Sequence, residues 1–400
     1  MRYSSRILFP VLASVLVACT EQSLPVFDIP IPISVPSGTP AYGPRLVTSP
    51  DGEVILSWME RGTDNVALRF SVYEQGSWGP AVTATIDEHM FVNWADLPAV
   101  TPLGSGSLLA HWLSYTADMP YAYQILTAHS ADEGATWSAP RSPHVDGTPT
   151  EHGFVSMYPV SGATGLVWLD GRQTPDKGMT LRSATLSADG AVSDKAVIDD
   201  WVCDCCQTDV AITEAGPIAA YRDRTADEVR DIYVARNLNG EWQPGSAIAN
   251  DGWVISGCPV NGPAIDAAGK FVALAWFTAA GQKPKVQTAF STNAGKSFSE
   301  AIEISSPNTT GHVGVTLLDR HTYVVSWMEP GKNGDYAIKL RAVTTDGQTG
   351  REHIVGRTSV ARNVPQLIRV GDKLVLAWTD TFDNVQKVAS VQVAILGFYD

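Results

Sequence analysis

The stretch VALAW, from Val272 to Trp276, is a short apolar run that ends in a large aromatic residue. The same pattern occurs at six other places in the 400-residue chain. The other copies are VILSW ending at Trp58, LLAHW at Trp112, TGLVW at Trp168, PIAAY at Tyr221, YVVSW at Trp327 and LVLAW at Trp378. Successive aromatic residues lie 51 to 56 residues apart. A repeat of this length indicates an array of similar structural units.

Each repeat has the pattern of several short strands separated by turns. An inner strand comes first, such as PRLVT (44–48) or PAIDA (263–267), and a turn leads from it to the strand with the aromatic residue. A polar loop and two further strands complete the unit. Four-stranded sheets arranged radially form a β-propeller. The sequence therefore predicts an all-β chain that folds as a single propeller of seven blades.

The last repeat is incomplete, because only 22 residues follow Trp378. They provide one further strand, in QKVASVQVAIL, but not two. Near the other end, VFDIPIPISV (26–35) alternates apolar residues with polar residues and prolines. This pattern predicts a strand, and the prolines restrict it to the edge of a sheet. We expect it to complete the last blade and close the ring, with a proline-rich linker as the alternative.

Two turns carry a resemblance to a known family. SADEGATW (130–137) matches the Asp-box pattern S-x-D-x-G-x-x-W, STNAGKSF (291–298) matches it with two substitutions, and NLNGEW (237–242) is a degenerate third copy. The box positions are Ser130, Asp132, Gly134 and Trp137 in the first copy and Ser291, Asn293, Gly295 and Phe298 in the second. These turns resemble those of the sialidase-like (BNR-repeat) propellers, in which the box joins the third and fourth strands of a blade. The catalytic propeller of sialidases has six blades, so six is the alternative to seven.

The N-terminus predicts export. Arg2 and Arg6 precede a short apolar run, which is typical of a signal peptide over residues 1–18. The sequence LVAC (16–19) resembles the lipobox of bacterial lipoproteins, which implies that Cys19 is lipidated; an ordinary cleaved signal is the alternative. Residues 19–41 would form the anchor, linker and ring-closing strand, and residues 42–400 the propeller. Thr20 in place of Asp implies the outer membrane, facing the periplasm or the cell surface.

The charge of the chain limits its partners. The net charge is −14, and removal of the signal would leave a body near −16. A strongly acidic protein repels nucleic acid and anionic lipid surfaces. The expected partners are therefore a membrane, through the lipid anchor only, and a metal ion, a glycan or another envelope protein.

Four cysteines remain in the exported body, three of them in DDWVCDCCQTD (199–209). Cys203, Cys205 and Cys206 precede the inner strand of the fourth repeat, and Cys258 precedes that of the fifth. We therefore expect all four on the face that carries the connections between blades. Three interpretations stay open: disulfides between neighbouring blades, a metal site, or a redox-active disulfide.

Two histidines could join a metal site on that face. His152 and His312 enter the inner strands of the third and sixth repeats in nearly the same way. Soft sulfur ligands select copper(I) or zinc, and imidazole completes either set. The predicted ligand set is Cys203, Cys205, Cys206, Cys258, His152 and His312, with copper as the expected ion and zinc as the alternative.

A charged rim is predicted on the same face, in the loops that follow the second strands. The loops contain Glu60, Arg61, Asp170, Arg172, Glu329 and Asp380, and the densest run is YRDRTADEVRDIY (221–233). The candidate catalytic residues are Arg45, Arg222, Asp223, Arg224, Glu228 and Arg230. Such residues suit the binding of an anionic ligand and acid–base chemistry, although a solvated rim of ion pairs would look the same in sequence.

The resemblance implies sialidase chemistry, which needs an arginine cluster, a Tyr–Glu pair and an acidic Asp. The first inner strand reads YGPRLV, with Arg45 after the proline instead of before it, and no Tyr–Glu pair can be identified from the sequence.

The favoured hypothesis is an exported lipoprotein with a copper-binding Cys/His site that acts in envelope metal handling. The alternatives are a sialidase-like glycoside hydrolase and a scaffold for protein partners.

Overall fold

A computed structural model describes residues 24–38, 40–49, 51–174, 177–381 and 389–399. The predicted signal peptide and the lipidation of Cys19 lie outside these ranges. Within them, regular structure consists of thirty strands and one short 3-10 helix, Ala280–Gln282. None of the helical structure in these ranges is long and apolar enough to span a membrane.

The strands form seven separate antiparallel sheets, one for each sequence repeat. Two strands precede the first blade: β1 (Val26–Phe27) and β2 (Ile31–Ile33). Blade 1 contains β3 (Ala41–Thr48), β4 (Val54–Arg61), β5 (Val66–Glu74), β6 (Ser77–Trp78) and β7 (Val82–Asp87). Blade 2 contains β8 (Ala99–Gly104), β9 (Ser107–Tyr115) and β10 (Tyr123–Ser130). Blade 3 contains β11 (His152–Val160), β12 (Ala163–Asp170), β13 (Met179–Ser187) and β14 (Val192–Val202).

The second half of the chain continues in the same order. Blade 4 contains β15 (Asp209–Thr213), β16 (Gly216–Arg222), β17 (Ile232–Leu238), β18 (Glu241–Trp242) and β19 (Ser246–Ala247). Blade 5 contains β20 (Ala264–Ala268), β21 (Phe271–Thr278), β22 (Lys285–Ser291) and β23 (Ile302–Glu303). Blade 6 contains β24 (Gly311–Leu317), β25 (Thr322–Pro330), β26 (Tyr336–Thr344) and β27 (His353–Thr358). Blade 7 contains β28 (Gln366–Val370), β29 (Lys373–Thr381) and β30 (Ala389–Tyr399). The prediction of seven blades is confirmed, and the six-blade alternative is excluded.

The N-terminal segment completes blade 7. Both β1 and β2 pair antiparallel with β30, with Val26 opposite Tyr399 and Ile31 opposite Ile395. The predicted edge strand is therefore present, in two short pieces, and Pro32 is tolerated because β2 lies at the outer edge of the sheet. Among the described strands no hydrogen-bonded ladder joins one blade to the next, so side-chain packing between blades holds the ring together.

The repeated aromatic residues form the centres of that packing. Each lies in the second strand of its blade and is buried against the preceding blade. Trp112 of blade 2 packs with Ile55 and Met59 of blade 1, for example. Trp58 of blade 1 packs with Val375 of blade 7, which is the interface that closes the ring. The described residues form seven such apolar clusters, one at each interface between blades.

Six of the seven aromatic residues donate their polar hydrogen to a carboxylate. In blades 1, 3 and 6 the acceptor lies two residues further along the strand, and in blades 2, 4 and 5 it comes from the outer part of the preceding blade. The pairs are Trp58–Glu60, Trp168–Asp170 and Trp327–Glu329 in the first group and Trp112–Asp87, Tyr221–Asp199 and Trp276–Asp251 in the second. A buried indole N–H or phenol O–H needs such a partner. Of the seven repeated aromatic residues, Trp378 alone has no acceptor for its polar hydrogen among the described residues.

The Asp boxes form the predicted turns after third strands. Ser130 Oγ accepts the Gly134 N–H at 2.9 Å, and Asp132 Oδ1 accepts the Thr136 N–H at 2.9 Å. The second box makes the same two bonds through Ser291 and Asn293. The asparagine can replace the aspartate because its Oδ1 accepts the same backbone N–H, while its Nδ2 donates to Ser297 Oγ at 2.8 Å where Asp132 Oδ2 accepts from Thr136 Oγ1.

Gly134 has two separate reasons to be glycine. Its φ of +86° is one that side chains rarely adopt, and a Cβ would lie 2.6 Å from Cζ of Phe70 in the preceding blade. Gly76 has nearly the same φ, +90°, but a Cβ there would meet no atom within 4 Å. We expect Gly76→Ala to cost about 1–2 kcal/mol of unfolding free energy from backbone strain alone. Gly134→Ala should cost about 1–3 kcal/mol more, because the buried Phe70 must also move.

Urea unfolding of the two variants measures this difference. Equal destabilisation would show that the box glycine serves its turn only and does not set the distance between blades 1 and 2.

Candidate functional site

The four cysteines lie together, as expected, in the connections between blades 3 and 4 and between blades 4 and 5. The Sγ atoms of Cys203, Cys205 and Cys206 all lie within 4.8 Å of one another, and Cys203 Sγ is 3.6 Å from Cys206 Sγ. Cys258 lies outside this group of three sulfurs, but its thiol is close enough to that of Cys205 for each to affect the pKa of the other. Cys203 and Cys206 are buried, Cys205 is half-buried and Cys258 is exposed, and all four thiols are free. We call this group the thiol cluster; it is open to solvent on the Cys258 side.

The charged run of the rim joins the thiol cluster directly. Arg230 donates through Nη1 to Cys203 Sγ at 3.2 Å and through Nη2 to Glu228 Oε2 at 2.8 Å. Glu228 Oε1 accepts from Arg224 Nη2 at 2.6 Å, and Arg224 Nη1 donates to Asp204 Oδ2 at 3.0 Å. The two constellations that the sequence analysis treated separately are thus one hydrogen-bonded site.

This arrangement divides the thiols by proton affinity. Contacts with the Cys205 and Cys206 thiols, together with the Arg222 and Arg230 guanidiniums, hold the pKa of Cys203 well below its usual range. The contact with Cys205 lowers the pKa of Cys258 as well. Hydrogen bonding to its neighbours raises the pKa of Cys205, and burial raises that of Cys206. Cys203 is therefore the first of the buried thiols to become a thiolate.

Arg222 has a different role from the one proposed for it in the rim. Its side chain is 2% exposed and donates to the backbone carbonyls of Asn261, Arg230 and Phe277 at 2.6–3.1 Å. Its guanidinium also lies over the ring of Trp253, 4.9 Å from the centroid. With these bonds made, Arg222 holds the loops beneath the site and is not free to bind a ligand.

The two predicted histidine ligands lie in other places. His152 is stacked on His144 with 3.9 Å between ring centroids, and its Nε2 is 3.2 Å from Asp146 Oδ2. His144 Nδ1 lies 3.0 Å from the same carboxylate oxygen, and its Nε2 accepts the Ile125 N–H. His144 therefore donates through Nδ1 to Asp146, so that nitrogen is not free for a metal. The structure groups His152 with these side chains and not with the thiols.

The inner strands of blades 3 and 6 do begin alike, but the histidines are not equivalent. A register shift follows Gly153 in β11 and Gly311 in β24, and the next residues, Phe154 and His312, both have φ of +54°. His312 therefore corresponds to Phe154, and His152 lies two positions earlier. Because a bulge changes where a side chain points, the spacing in sequence could not show this.

His312 lies at the mouth of the central channel, beneath a loop that crosses it. Trp94, in the connection from blade 1 to blade 2, contacts the His312 ring edge-on at 5.5 Å. The carbonyl of Ala95 accepts a bond from Gln207 of the blade 3–4 connection, and Asp96 accepts the Phe154 N–H of blade 3. The segment 94–96 thus contacts blade 6, blade 3 and the connection between blades 3 and 4, and Trp94 also packs in the apolar cluster that contains Cys205.

A Tyr–Glu pair that the sequence did not reveal lies beside this segment. Tyr123 donates to Glu151 Oε1 at 2.6 Å, and Asp96 Oδ2 is 3.4 Å from the same hydroxyl. Burial raises the pKa of Asp96 to about 8 and that of Glu151 to about 7, and it raises the pKa of Tyr123 as well. The partners lie 27 and 28 residues from Tyr123 in sequence, so no local motif marks them. Tyr123 is only 1% exposed.

Among the other charged residues predicted for the rim, some have structural hydrogen-bond partners and others have none in the described ranges. Glu60, Asp170 and Glu329 are the acceptors for the repeat tryptophans. Asp223 is 7% exposed, and its carboxylate makes no hydrogen bond to another side chain in the described ranges. Arg45 lines the central channel, away from the thiol cluster.

The thiol cluster fits a soft metal ion. Tetrahedral bonds of about 2.3 Å from sulfur to zinc place the sulfurs about 3.8 Å apart, close to the 3.6 Å between Cys203 and Cys206. Thiolate ligands also suit copper(I). Arg230 donates a hydrogen bond to the Cys203 sulfur, a kind of contact that is usual around the ligands of metal sites. The same 3.6 Å separation also allows a disulfide to form with a small movement.

The comparisons with known proteins address the fold. No protein-family model and no curated protein matches the sequence. A protein of unknown function from Dyadobacter fermentans matches with a TM-score of 0.55 at 15% identity, over 94% of this chain and 99% of the other. An α-L-arabinofuranosidase of Fusarium graminearum, solved with arabinobiose, matches with a TM-score of 0.50 at 14% identity, over 92% and 97%. A Hadza microbial sialidase matches with a TM-score of 0.46 at 16% identity, over 72% and 63%.

The chain has the fold of a seven-bladed β-propeller, shared with solved structures that it resembles only distantly in sequence. The propeller fold implied by the Asp boxes is thereby confirmed. Identities of 14–16% carry over no activity, so the function of this propeller is argued from its own residues.

Asp223 provides a test of the electrostatics around the site. Burial, with the neighbouring Asp199 carboxylate, raises its pKa to about 7 from an ordinary value of 3.8. The folded protein therefore keeps this proton up to about pH 7, whereas the unfolded chain releases it near pH 4. Protonation of Asp223 therefore stabilises the folded state relative to the unfolded state below pH 4, and this stabilisation is lost as the pH rises from 4 to 7. We expect Asp223→Asn to lose less stability than the parent over that range.

Urea unfolding at pH 4, 5.5 and 7 measures the effect as a difference between variant and parent. Asp227→Asn removes an exposed carboxylate from the same loop and is the control for a change of net charge. Parallel pH profiles for Asp223→Asn and the parent would contradict the raised pKa.

Proposed function

We propose that this propeller is an exported, lipid-anchored envelope protein that binds a soft metal ion at the thiol cluster. The ligands are the thiolates of Cys203, Cys205, Cys206 and Cys258, with copper(I) as the expected ion and zinc as the alternative. The observation that carries the proposal is the convergence of four thiols from two connections, with Arg230 donating to Cys203. His152 and His312, predicted as ligands from the sequence, are not needed for this set.

The surrounding charges support a thiolate site. Four thiolates around a singly or doubly charged ion leave a net negative charge, which needs nearby cations. Arg230 lies against the sulfur of Cys203, and Arg224 is tied to the same network through Glu228 and Asp204. Both arginines are at most 21% exposed in their side chains, so solvent screens them only in part.

The degree of burial gives each cysteine a role. Cys203 and Cys206 are 1% and 2% exposed and would form the fixed inner half of the site. Cys258 is exposed and would be the first ligand to meet an incoming ion. An ion held by an accessible thiolate can pass to another protein by exchange of ligands, which suits metal handling in the envelope.

Metal content and free thiols of the exported chain test the proposal. The chain is purified in detergent without a metal-chelating tag, and copper and zinc are measured by mass spectrometry. We expect about one ion per chain, lost in Cys203→Ser and in Cys206→Ser because these remove inner ligands. His152→Asn and His312→Asn should keep the ion. Arg230→Met should lower the affinity for the ion about 10–100-fold, and exposed Arg320→Met is the control.

Two outcomes would contradict this proposal. An absence of metal together with an absence of free thiols would identify the cysteines as disulfides. Loss of the ion in either histidine variant, with the fold intact by circular dichroism, would mean that imidazole ligation had been wrongly set aside.

A sialidase-like glycoside hydrolase is the second candidate, because the structure contains a Tyr–Glu pair. Such an enzyme would use Tyr123 as nucleophile with Glu151 as its base, and Asp96 stands beside them. The burial of Tyr123 opposes this role, since a nucleophile must reach its substrate. We therefore expect no release of 4-methylumbelliferone from its sialoside. If the parent protein releases 4-methylumbelliferone, and Tyr123→Phe abolishes this release while the metal stays bound, glycoside hydrolysis becomes the favoured function and metal binding the second candidate.

A further inference from the structure

The central channel is a second place in the molecule where polar groups converge. The inner strands of the seven blades enclose a cavity of about 530 Å³. Most of its charged side chains already have structural partners. Asp209 accepts the Ile265 N–H of the next blade at 2.9 Å, and Asp266 accepts the Leu317 N–H of blade 6 at 2.8 Å. Arg369 donates to the carbonyls of Leu318 and Gly371.

Arg45 is different from these residues. It lines the channel, yet its guanidinium makes no hydrogen bond or ion pair with any residue in the described ranges. Burial raises the pKa of Asp96 and of Asp209, and the positive charge of Arg45 offsets part of that rise; at His111 the same charge adds to the lowering of the pKa that burial causes. An arginine with five N–H donors and no partner inside a concave site is open to a ligand.

His111 presents the second open group. Its side chain is 2% exposed and lines the channel, and neither ring nitrogen has a hydrogen-bond partner within the described structure, although the Leu97 carbonyl lies nearby. Burial and the Arg45 charge lower the pKa of His111 to about 3, so the ring is neutral. Buried polar atoms are nearly always paired, by protein, water or ligand.

His312, in blade 6, is a second channel histidine with an open ring nitrogen. It also lines the channel, its Nδ1 has no partner in the described part of the chain, and burial lowers its pKa to about 4. The channel thus offers one unpaired cation and two neutral imidazoles. The carboxylates of Asp209 and Asp266 accept backbone N–H groups and so are already engaged. These open groups match a negatively charged acceptor and not a cation.

We propose that the channel binds a small oxyanion, the carboxylate or phosphate group of a ligand, through the guanidinium of Arg45, with His111 and His312 as neutral hydrogen-bonding partners. A guanidinium takes two oxygens of either group in parallel. The cavity is larger than one such group, so it also has room for the rest of a small organic molecule. This site is separate from the thiol cluster and does not depend on the metal.

Equilibrium dialysis of the purified chain against labelled phosphate and labelled acetate tests the site. We expect one anion per chain, with affinity reduced about 10–100-fold in Arg45→Met, which removes a charged hydrogen bond but keeps a long side chain. Arg45→Lys should retain part of the affinity. Exposed Arg351→Met controls for net charge, and Cys206→Ser should bind as the parent does, because the thiol cluster is elsewhere.

A direct observation of the imidazoles covers the case in which Arg45→Met fails to fold. In the parent protein, the ¹⁵N signals of two buried histidines should shift as the anion is added. Binding of acetate alone assigns the site to carboxylates, binding of phosphate alone assigns it to phosphates, and binding of both shows a general oxyanion site. No binding of either anion at millimolar concentration, or equal binding by Arg45→Met, would overturn the proposal.

Discussion

The ring depends on the burial of one aromatic side chain at every interface between blades. In the part of the chain that the structure describes, no hydrogen-bonded ladder crosses from one blade to the next, so these side chains and their apolar neighbours hold the blades together. Burying a Trp gains a large apolar area but also removes an N–H from water. A carboxylate compensates that loss at six of the seven interfaces, and in three of them it also connects two blades. The acidic character of the chain is thus partly a requirement of its core.

The same constraint explains how much of the fold could be predicted. The aromatic repeat is a local pattern, and it was enough to predict the number of blades and the strand order. The incomplete last repeat and the alternating pattern of residues 26–35 predicted the closure by the N-terminal strand. The acceptors Asp87, Asp199 and Asp251 lie 22–25 residues from their aromatic partners, so no local pattern connects them. The nearer acceptors Glu60, Asp170 and Glu329 were interpreted as rim residues because an exposed and a buried carboxylate look alike in sequence.

For the candidate site, the sequence predicted which cysteines lie near one another but not the contacts that their neighbours make. Topology alone brings Cys258 to the three cysteines of the preceding connection, because both connections lie on one face. The link from Arg230 to Cys203 could not be predicted, since it depends on how the loop 223–231 folds back over the connection. His152 and His312 were expected to be equivalent, but the bulge that both inner strands share aligns His312 with Phe154, two positions after His152. Side-chain direction depends on such irregularities and is lost when only spacing is considered.

The place where the ring is closed has a geometric consequence. In a ring of seven, blade 7 faces the junction of blades 3 and 4, and that junction carries Cys203, Cys205 and Cys206. Val26 pairs with Tyr399 at the outer edge of blade 7, so both ends of the described chain leave the molecule on the side opposite the thiols. Leu24, where the described chain begins, is therefore separated from these thiols by the full width of the ring. The thiol cluster and the edge that closes the propeller lie on opposite sides of the molecule.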